Sequence, residues 1–395
     1  MTGSLHPLHR LWRGLPQGPR RRLVTGGASL LAPHPDRPPP PVRHGIAVGG
    51  ELDRASGLGE GARLMLHGLQ ALGVPCWPLA PGEPPPPPGA ALVLHTTAPG
   101  TPVALLRMGR AAVRGRRVIG YWAWELPVAP EAWRAGPPFV HEVWAPSRFS
   151  ADALQPLLPG QVRVVPHPVA AHPPSASGLR RADFGLPEGP VITLASFSLA
   201  SSFVRKNPLG AIAAHRIAFG TREDRLLLLR VGDPHHFPAD FARLRDAAAA
   251  LPNVRLDTRT LPAADLHALT LSCDIVLSLH RSEGFGLVPA EAMLLGVPVV
   301  ATGWSGNMEY MDEGSAALVP YALVPAVDPR GVFEAPGAVW AEPDLGAAAA
   351  HLTRLADDPA ARRALGLAGQ AAARRRLGTR ALAEAVRGLG LTVPA

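Results

Sequence analysis

Cysteine is nearly absent. Cys76 and Cys273 are the only two in 395 residues, too few for a disulfide framework or a Cys-based zinc site. Cys273 lies beside the apolar run Ile275–Leu279 and is expected as a small core residue, in keeping with a reducing cytoplasm. Long hydrophobic runs are missing too: none approaches the roughly 18 uninterrupted apolar residues that a membrane-spanning helix requires. The run Leu23–Pro33 behind Arg20, Arg21 and Arg22 is too short for a leader, and Thr25, Gly26, Gly27 and Ser29 interrupt it. The chain is therefore expected to be soluble and cytoplasmic. Basic helices with interleaved aromatics are lacking, so no nucleic-acid partner is expected. Lysine is the scarcest residue: of 39 basic side chains all but Lys206 are arginine.

The net charge of +8 suits an anionic small molecule or lipid surface. Arg374, Arg375 and Arg376, with Arg380 following, offer at most a weak peripheral contact with the inner membrane face; a solvated helix face is the plainer reading. Residues 1–42, rich in Arg and Pro, are expected as a poorly ordered extension. Short apolar runs such as Gly45–Val48, Ala91–His95 and Val118–Trp122 then alternate with helical patterns, which argues for a parallel sheet covered on both faces. The alternation restarts at Val191–Ser196. Two α/β domains follow from this: a Rossmann-like domain over 43–170, a connector over 171–190, and a second Rossmann-like domain over 191–377. Pro320–Glu342 is expected as an irregular excursion, and 378–395 as a terminal helix crossing back onto the first domain. Ligands of such sheets sit outside the carboxyl ends of the strands, here in the cleft between domains.

Three segments carry chemistry. Ser282–Glu291 reads S-E-G-F-G-L-V-P-A-E directly after a strand. Gly284 and Gly286 permit close backbone approach, and the helix from Leu287 points free N–H groups at the loop, which suits a diphosphate. Glu283 and Glu291 each accept hydroxyl hydrogen bonds, the usual grip on sugar and ribose. Val204–Pro208, V-R-K-N-P, sets Arg205 and Lys206 at a helix start, where positive charge opposes the dipole and needs a reason; neutralising a pyrophosphate supplies one. Ser56–Glu60, S-G-L-G-E, is a glycine turn after the first strand.

Two glutamates with seven residues between them, G-F-G-L included, resemble the signature of the group 1 family of retaining GT-B glycosyltransferases. The resemblance implies two Rossmann-like domains facing each other across a cleft. It gives Glu283 the donor-sugar hydroxyls and Glu291 the nucleotide ribose, with Arg205 and Lys206 on the diphosphate. Pro298–Asn307 is similar to the family as well, which makes Ser305, Gly306 and Asn307 donor contacts beside Gly57, Gly59, Asn207, Gly284, Phe285, Gly286, Leu287 and Val288. Many members carry a further arginine where this chain has Ala200 and small neighbours. His95 and Glu125 are matched to sugar or acceptor contacts. Gly120–Glu125 and Trp144–Phe149 resemble a bacterial subset, and Tyr121, Trp122, Trp124 and Trp133 there either stack on a ligand or belong to the core. The metal-binding D-x-D of the other major glycosyltransferase fold is absent and His235–His236 is a poor metal signal, so neither metal nor cofactor is expected. The expected activity transfers a hexose-type sugar from a nucleotide-diphosphate sugar to a glycan or lipid-linked acceptor with retention, as in polysaccharide biosynthesis. A nucleotide-sugar epimerase on the same fold and a non-catalytic nucleotide-sugar-binding module stay open.

Overall fold

The computed structural model describes residues 17–54, 56–333 and 335–394. The first sheet comprises β1 (Ile46–Gly49), β2 (Cys76–Leu79), β3 (Ala91–His95), β4 (Val118–Tyr121), β5 (Glu142–Ala145) and β6 (Val162–Val164). All pair in parallel, in the order β2-β1-β3-β4-β5-β6. β1, β3, β4 and β5 are buried at every position. That is why their sequences are apolar runs rather than alternations. Helices α1 (Gln17–Leu31), α2 (Gly57–Ala71), α3 (Thr101–Met108) and α4 (Arg148–Leu154) accompany this sheet. Ser56 caps α2 by accepting from Gly59 N, and Ser147 caps α4 by accepting from Ser150 N, each at 3.1 Å.

The second sheet comprises β7 (Val191–Ser198), β8 (Arg225–Gly232), β9 (Val254–Asp257), β10 (Ile275–Ser278), β11 (Val299–Thr302) and β12 (Ala317–Val319). It is also wholly parallel, in the order β12-β11-β10-β7-β8-β9. Its helices include α5 (Phe203–Lys206), α6 (Pro208–Phe219), α7 (Pro238–Ala249), α8 (Ala263–Leu271) and α9 (Leu287–Leu294). The strand order turns back between β1 and β3 in one sheet and between β7 and β10 in the other, and those crevices are where ligands of open α/β sheets bind. The expected α/β architecture of two Rossmann-like domains is what the chain adopts.

Three segments differ from expectation. The stretch taken as poorly ordered, 1–42, is helical over Gln17–Leu31, and Ala28, Ala32 and Val42 are buried. Arg37 donates to Val140 O at 2.7 Å and pins the following segment to the first domain; residues 1–16 lie outside the described residues. The supposed connector docks on the second domain: Phe184 and Leu186 enter its core, and Arg181 reaches Asp274 at 2.7 Å. The excursion Pro320–Glu342 contains an antiparallel hairpin, β13 (Tyr321–Pro325) and β14 (Val339–Pro343), whose connecting loop packs Phe333 among the first domain's aromatics. The chain then forms α10 (Leu345–Asp357), α11 (Pro359–Arg376) and α12 (Arg380–Gly388). α12 returns to the first domain, where Leu382, Ala385, Val386 and Leu389 share a core with Ile46 and Met65. Among the described residues no helix is long and apolar enough to cross a membrane.

Candidate functional site

At the second switch point the two sequence blocks meet. Lys206 Nζ is hydrogen-bonded to Glu283 Oε1, and Arg205 Nη1 lies 3.2 Å from Glu283 Oε2. Burial pushes the Glu283 carboxyl upward, but the charges of Lys206 and Arg205 outweigh it and hold the group at about 2. It is an anion at any ordinary pH. The backbone around it is fixed from the facing loop: Glu283 N donates to Ser305 Oγ at 2.8 Å, and Gly306 N donates to Glu283 O at 2.9 Å. A Cβ on Gly306 would lie 2.2 Å from Gly284 O, so no larger residue allows this approach. Gly286, at φ +90°, starts α9 with no side-chain cap on the first-turn N–H groups.

Arg205 and Lys206 do different work. The Arg205 side chain is 3 % exposed and that of Lys206 19 %. Arg205 donates to Ser282 O at 2.7 Å and Ser201 O at 2.8 Å, and Phe333 lies over its guanidinium at 4.9 Å. It is spent on holding the motif loop. Lys206 alone of the pair keeps a solvent-facing side.

Glu291 points from α9 into the same crevice, with no hydrogen-bond partner for its carboxylate among the described residues. Burial first, then the negative charge of Glu60 on α2, raise its pKa to about 8. Glu60 itself is bridged to Arg63 at 2.6 Å. Across the cleft His95 ends β3 beside the glycine turn, buried and stacked on Tyr121 with ring centroids 4.2 Å apart. Among the described residues neither of its ring nitrogens has a partner, and burial holds its pKa well below the usual histidine value. A neutral imidazole with a free donor and a free acceptor suits a ligand hydroxyl.

Residues 210–341 match the family model described as "Glycosyl transferases group 1", a stretch that contains Glu283, Glu291 and Ser305–Asn307 and begins just after Lys206. Over those residues the second domain is similar to group 1 glycosyltransferases, and the fold is of the GT-B kind. Solved structures agree on the frame. HepE of Anabaena, in complex with UDP and glucose, is 15 % identical with a TM-score of 0.61, over 87 % of this chain and 99 % of that one. A glycosyltransferase from Rickettsia africae ESF-5 is 12 % identical with a TM-score of 0.62, over 88 % and 99 %. WaaG, a glycosyltransferase involved in lipopolysaccharide biosynthesis, is 16 % identical with a TM-score of 0.55, over 87 % and 99 %. No match is found among curated proteins.

On this GT-B frame several expected donor contacts turn out to hold the scaffold. Asn207, at φ 53°, caps α6 through Gly210 N at 3.2 Å. Asn207 is therefore a helix cap. Asn307 is fully buried; its side chain donates to Thr302 O at 3.0 Å, and its Oδ1 lies 3.0 Å from His280 Nε2. Ser305 serves the Glu283 amide. Phe285 is buried against His167 and Tyr310, at 4.9 and 5.1 Å, and so belongs to the domain contact. Gly59 is crowded by Glu51 O and Arg54 O, whereas Gly57, Leu287 and Val288 keep open space or partial exposure. Glu125 lies 3.8 Å from Arg205, its pKa raised by burial and partly offset by that charge. Tyr121, Trp122, Trp124 and Trp133 are all buried core.

Sequence reasoning missed Ser147, which donates to Gly284 O at 2.6 Å from the other domain, and Ser282 Oγ, which donates to Glu125 O. It also missed His167, whose Nδ1 is 3.2 Å from the Tyr121 hydroxyl and whose pKa burial lowers to about 3. Arg281, next to the motif, is paired with Glu342 at 2.6 Å and donates to Val204 O at 2.6 Å. Its position beside Ser282 was the one available signal. Among the described residues no group of three or more His, Cys, Asp or Glu is placed to hold a metal ion.

Proposed function

We propose that the chain transfers a hexose-type sugar from a nucleotide-diphosphate donor to a glycan or lipid-linked acceptor with retention at the anomeric carbon. The observation that carries this reading is Glu283, an anion fixed by Lys206 and Arg205 at the switch point, in the loop that leads into α9, whose first turn carries up to the uncommitted Glu291. Glu291 takes the ribose hydroxyls. Glu283 orients the transferred sugar. Lys206 and the first-turn N–H groups of α9 take the developing diphosphate charge, while Arg205 acts as a positioning residue. The neutral His95 faces the sugar from the other wall. Retention rests on the family resemblance and on attack from the leaving-group face.

Charge stabilisation of this kind needs no metal, so neither metal nor cofactor enters the scheme. The test is a panel of nucleotide-sugars with and without saccharide acceptors, followed by proton NMR of the product. Acceptor-dependent release of nucleoside diphosphate, surviving a chelator, and a retained anomeric configuration are expected. Donor interconversion without acceptor would instead identify an epimerase. Loss of activity on chelation, restored by magnesium or manganese, would overturn the metal-free scheme.

A further inference from the structure

Helix α1 is turned inside out. A surface helix ordinarily buries its large apolar residues, yet α1 sets Ala28, with Ala32 just beyond it, against the first domain and leaves Leu23, Val24, Leu30 and Leu31 in solvent. Leu30 is 86 % and Leu31 74 % exposed. At about 100° per residue, Leu23, Gly27, Leu30 and Leu31 share one arc of the helix. Among the described residues nothing stands within 4 Å of where a Cβ on Gly26 or Gly27 would be. α3 lies alongside and adds the exposed Leu106; Leu31, Leu106 and Arg110 line one open surface depression.

The exposed charge on the α3 side of this face is positive. Residues 98–117 hold five arginines and no aspartate or glutamate; Arg116 is buried and Arg117 pairs with Glu142, which leaves Arg107, Arg110 and Arg114 exposed. Arg107 and Arg110 are exposed beside Leu106, and among the described residues neither forms an ion pair. The neighbouring acids are engaged: Asp36 accepts from Gly115 N at 2.6 Å, and Glu131 pairs with Arg134 at 2.9 Å.

We propose that the α1–α3 face docks the protein on an anionic lipid surface. Leucines of an interfacial helix enter the boundary between headgroups and acyl chains while flanking arginines meet lipid phosphates. A second copy is a poorer occupant, because a two-fold contact would set the same arginines against each other. The expected contact at the end of α11 is weaker, since Arg376 is tied to Asp312 and Arg380 to Glu384. The docking does not depend on the transfer reading.

The test is flotation of the full chain with vesicles of phosphatidylcholine and phosphatidylglycerol in equal parts, beside vesicles of phosphatidylcholine alone. The protein is expected to float with the anionic vesicles only. Leu30→Ser with Leu31→Ser, and separately Arg107→Ser with Arg110→Ser, should each cut the floated fraction at least about fivefold with an unchanged melting temperature. Added salt should weaken the wild type. Hydrogen exchange should slow over 17–31 when anionic vesicles are present. The proposal fails if the wild type stays in solution, if both double variants float as it does, or if Arg374→Ser with Arg375→Ser alone abolishes binding. It fails equally if the leucine variant turns a dimer into a monomer and leaves flotation unchanged.

Discussion

The two switch points face each other but are built in opposite ways. Around Glu283 every group is committed: its carboxylate is held by Lys206 and Arg205, its amide by Ser305 and its carbonyl by Gly306. Around His95 the polar atoms are left over, with two ring nitrogens unpartnered among the described residues in a buried setting. A charged network is costly to assemble and worth preorganising where charge develops during reaction. A neutral site that waits for hydroxyls needs shape and a few free donors and acceptors. The second domain thus supplies the electrostatics, and the first supplies a receptive wall.

The largest expected effect comes from breaking the committed side. Arg205→Met removes the buried guanidinium and leaves Ser282 O, Ser201 O and part of Glu283 without a partner. A loss of about 3–5 kcal/mol in stability is expected, read as a lower urea midpoint, with transfer falling alongside. An unchanged midpoint would mean that the network is decorative.

Glu291 probes the same side through pH. Its folded pKa of about 8 lies above the ordinary value of 4.5. Between those values the folded state holds a proton that the unfolded state has released, so stability falls as pH rises through that window. Glu291→Gln removes the penalty. It should melt above the wild type at pH 8, by about 1–3 kcal/mol given the partial exposure of the group, and alongside it at pH 4. A gain of equal size at both pH values would point to packing instead.

Much of the committed side was legible because its chemistry lies in short contiguous stretches, R-K-N-P and S-E-G-F-G. Position along the chain nevertheless hid the division of labour: Arg205 and Lys206 are adjacent, yet burial makes one a brace and leaves the other facing the cleft. Ser147 and Glu125 were harder to read because they act across the cleft on backbone carbonyls or through them. Phe333 was hidden by an excursion whose strand β13 is largely exposed. Helix α1 escaped because its apolar residues face outward, the reverse of the pattern that sequence reading relies on.

A smaller effect, in activity alone, is expected at Lys206. The chain uses arginine at every other basic position, yet a compact ammonium stands here where a planar fork would meet Glu283 and the diphosphate at other distances. Lys206→Arg should lower transfer at least about tenfold, roughly 1.4 kcal/mol, with little change in melting. Arg354→Lys on the exposed surface of α10 serves as the control. Wild-type rates in the Lys206 variant would make the lone lysine an accident of composition.

Titration calorimetry of nucleoside diphosphates against the wild type, Glu291→Ala and His95→Phe bears most directly on the division between the two switch points. The expected result is that one nucleoside diphosphate binds, that Glu291→Ala weakens it by about 1–3 kcal/mol, and that His95→Phe leaves it unchanged. Equal affinity in the wild type and Glu291→Ala, or a loss confined to His95→Phe, would place the nucleotide on the wrong wall and contradict the assignment.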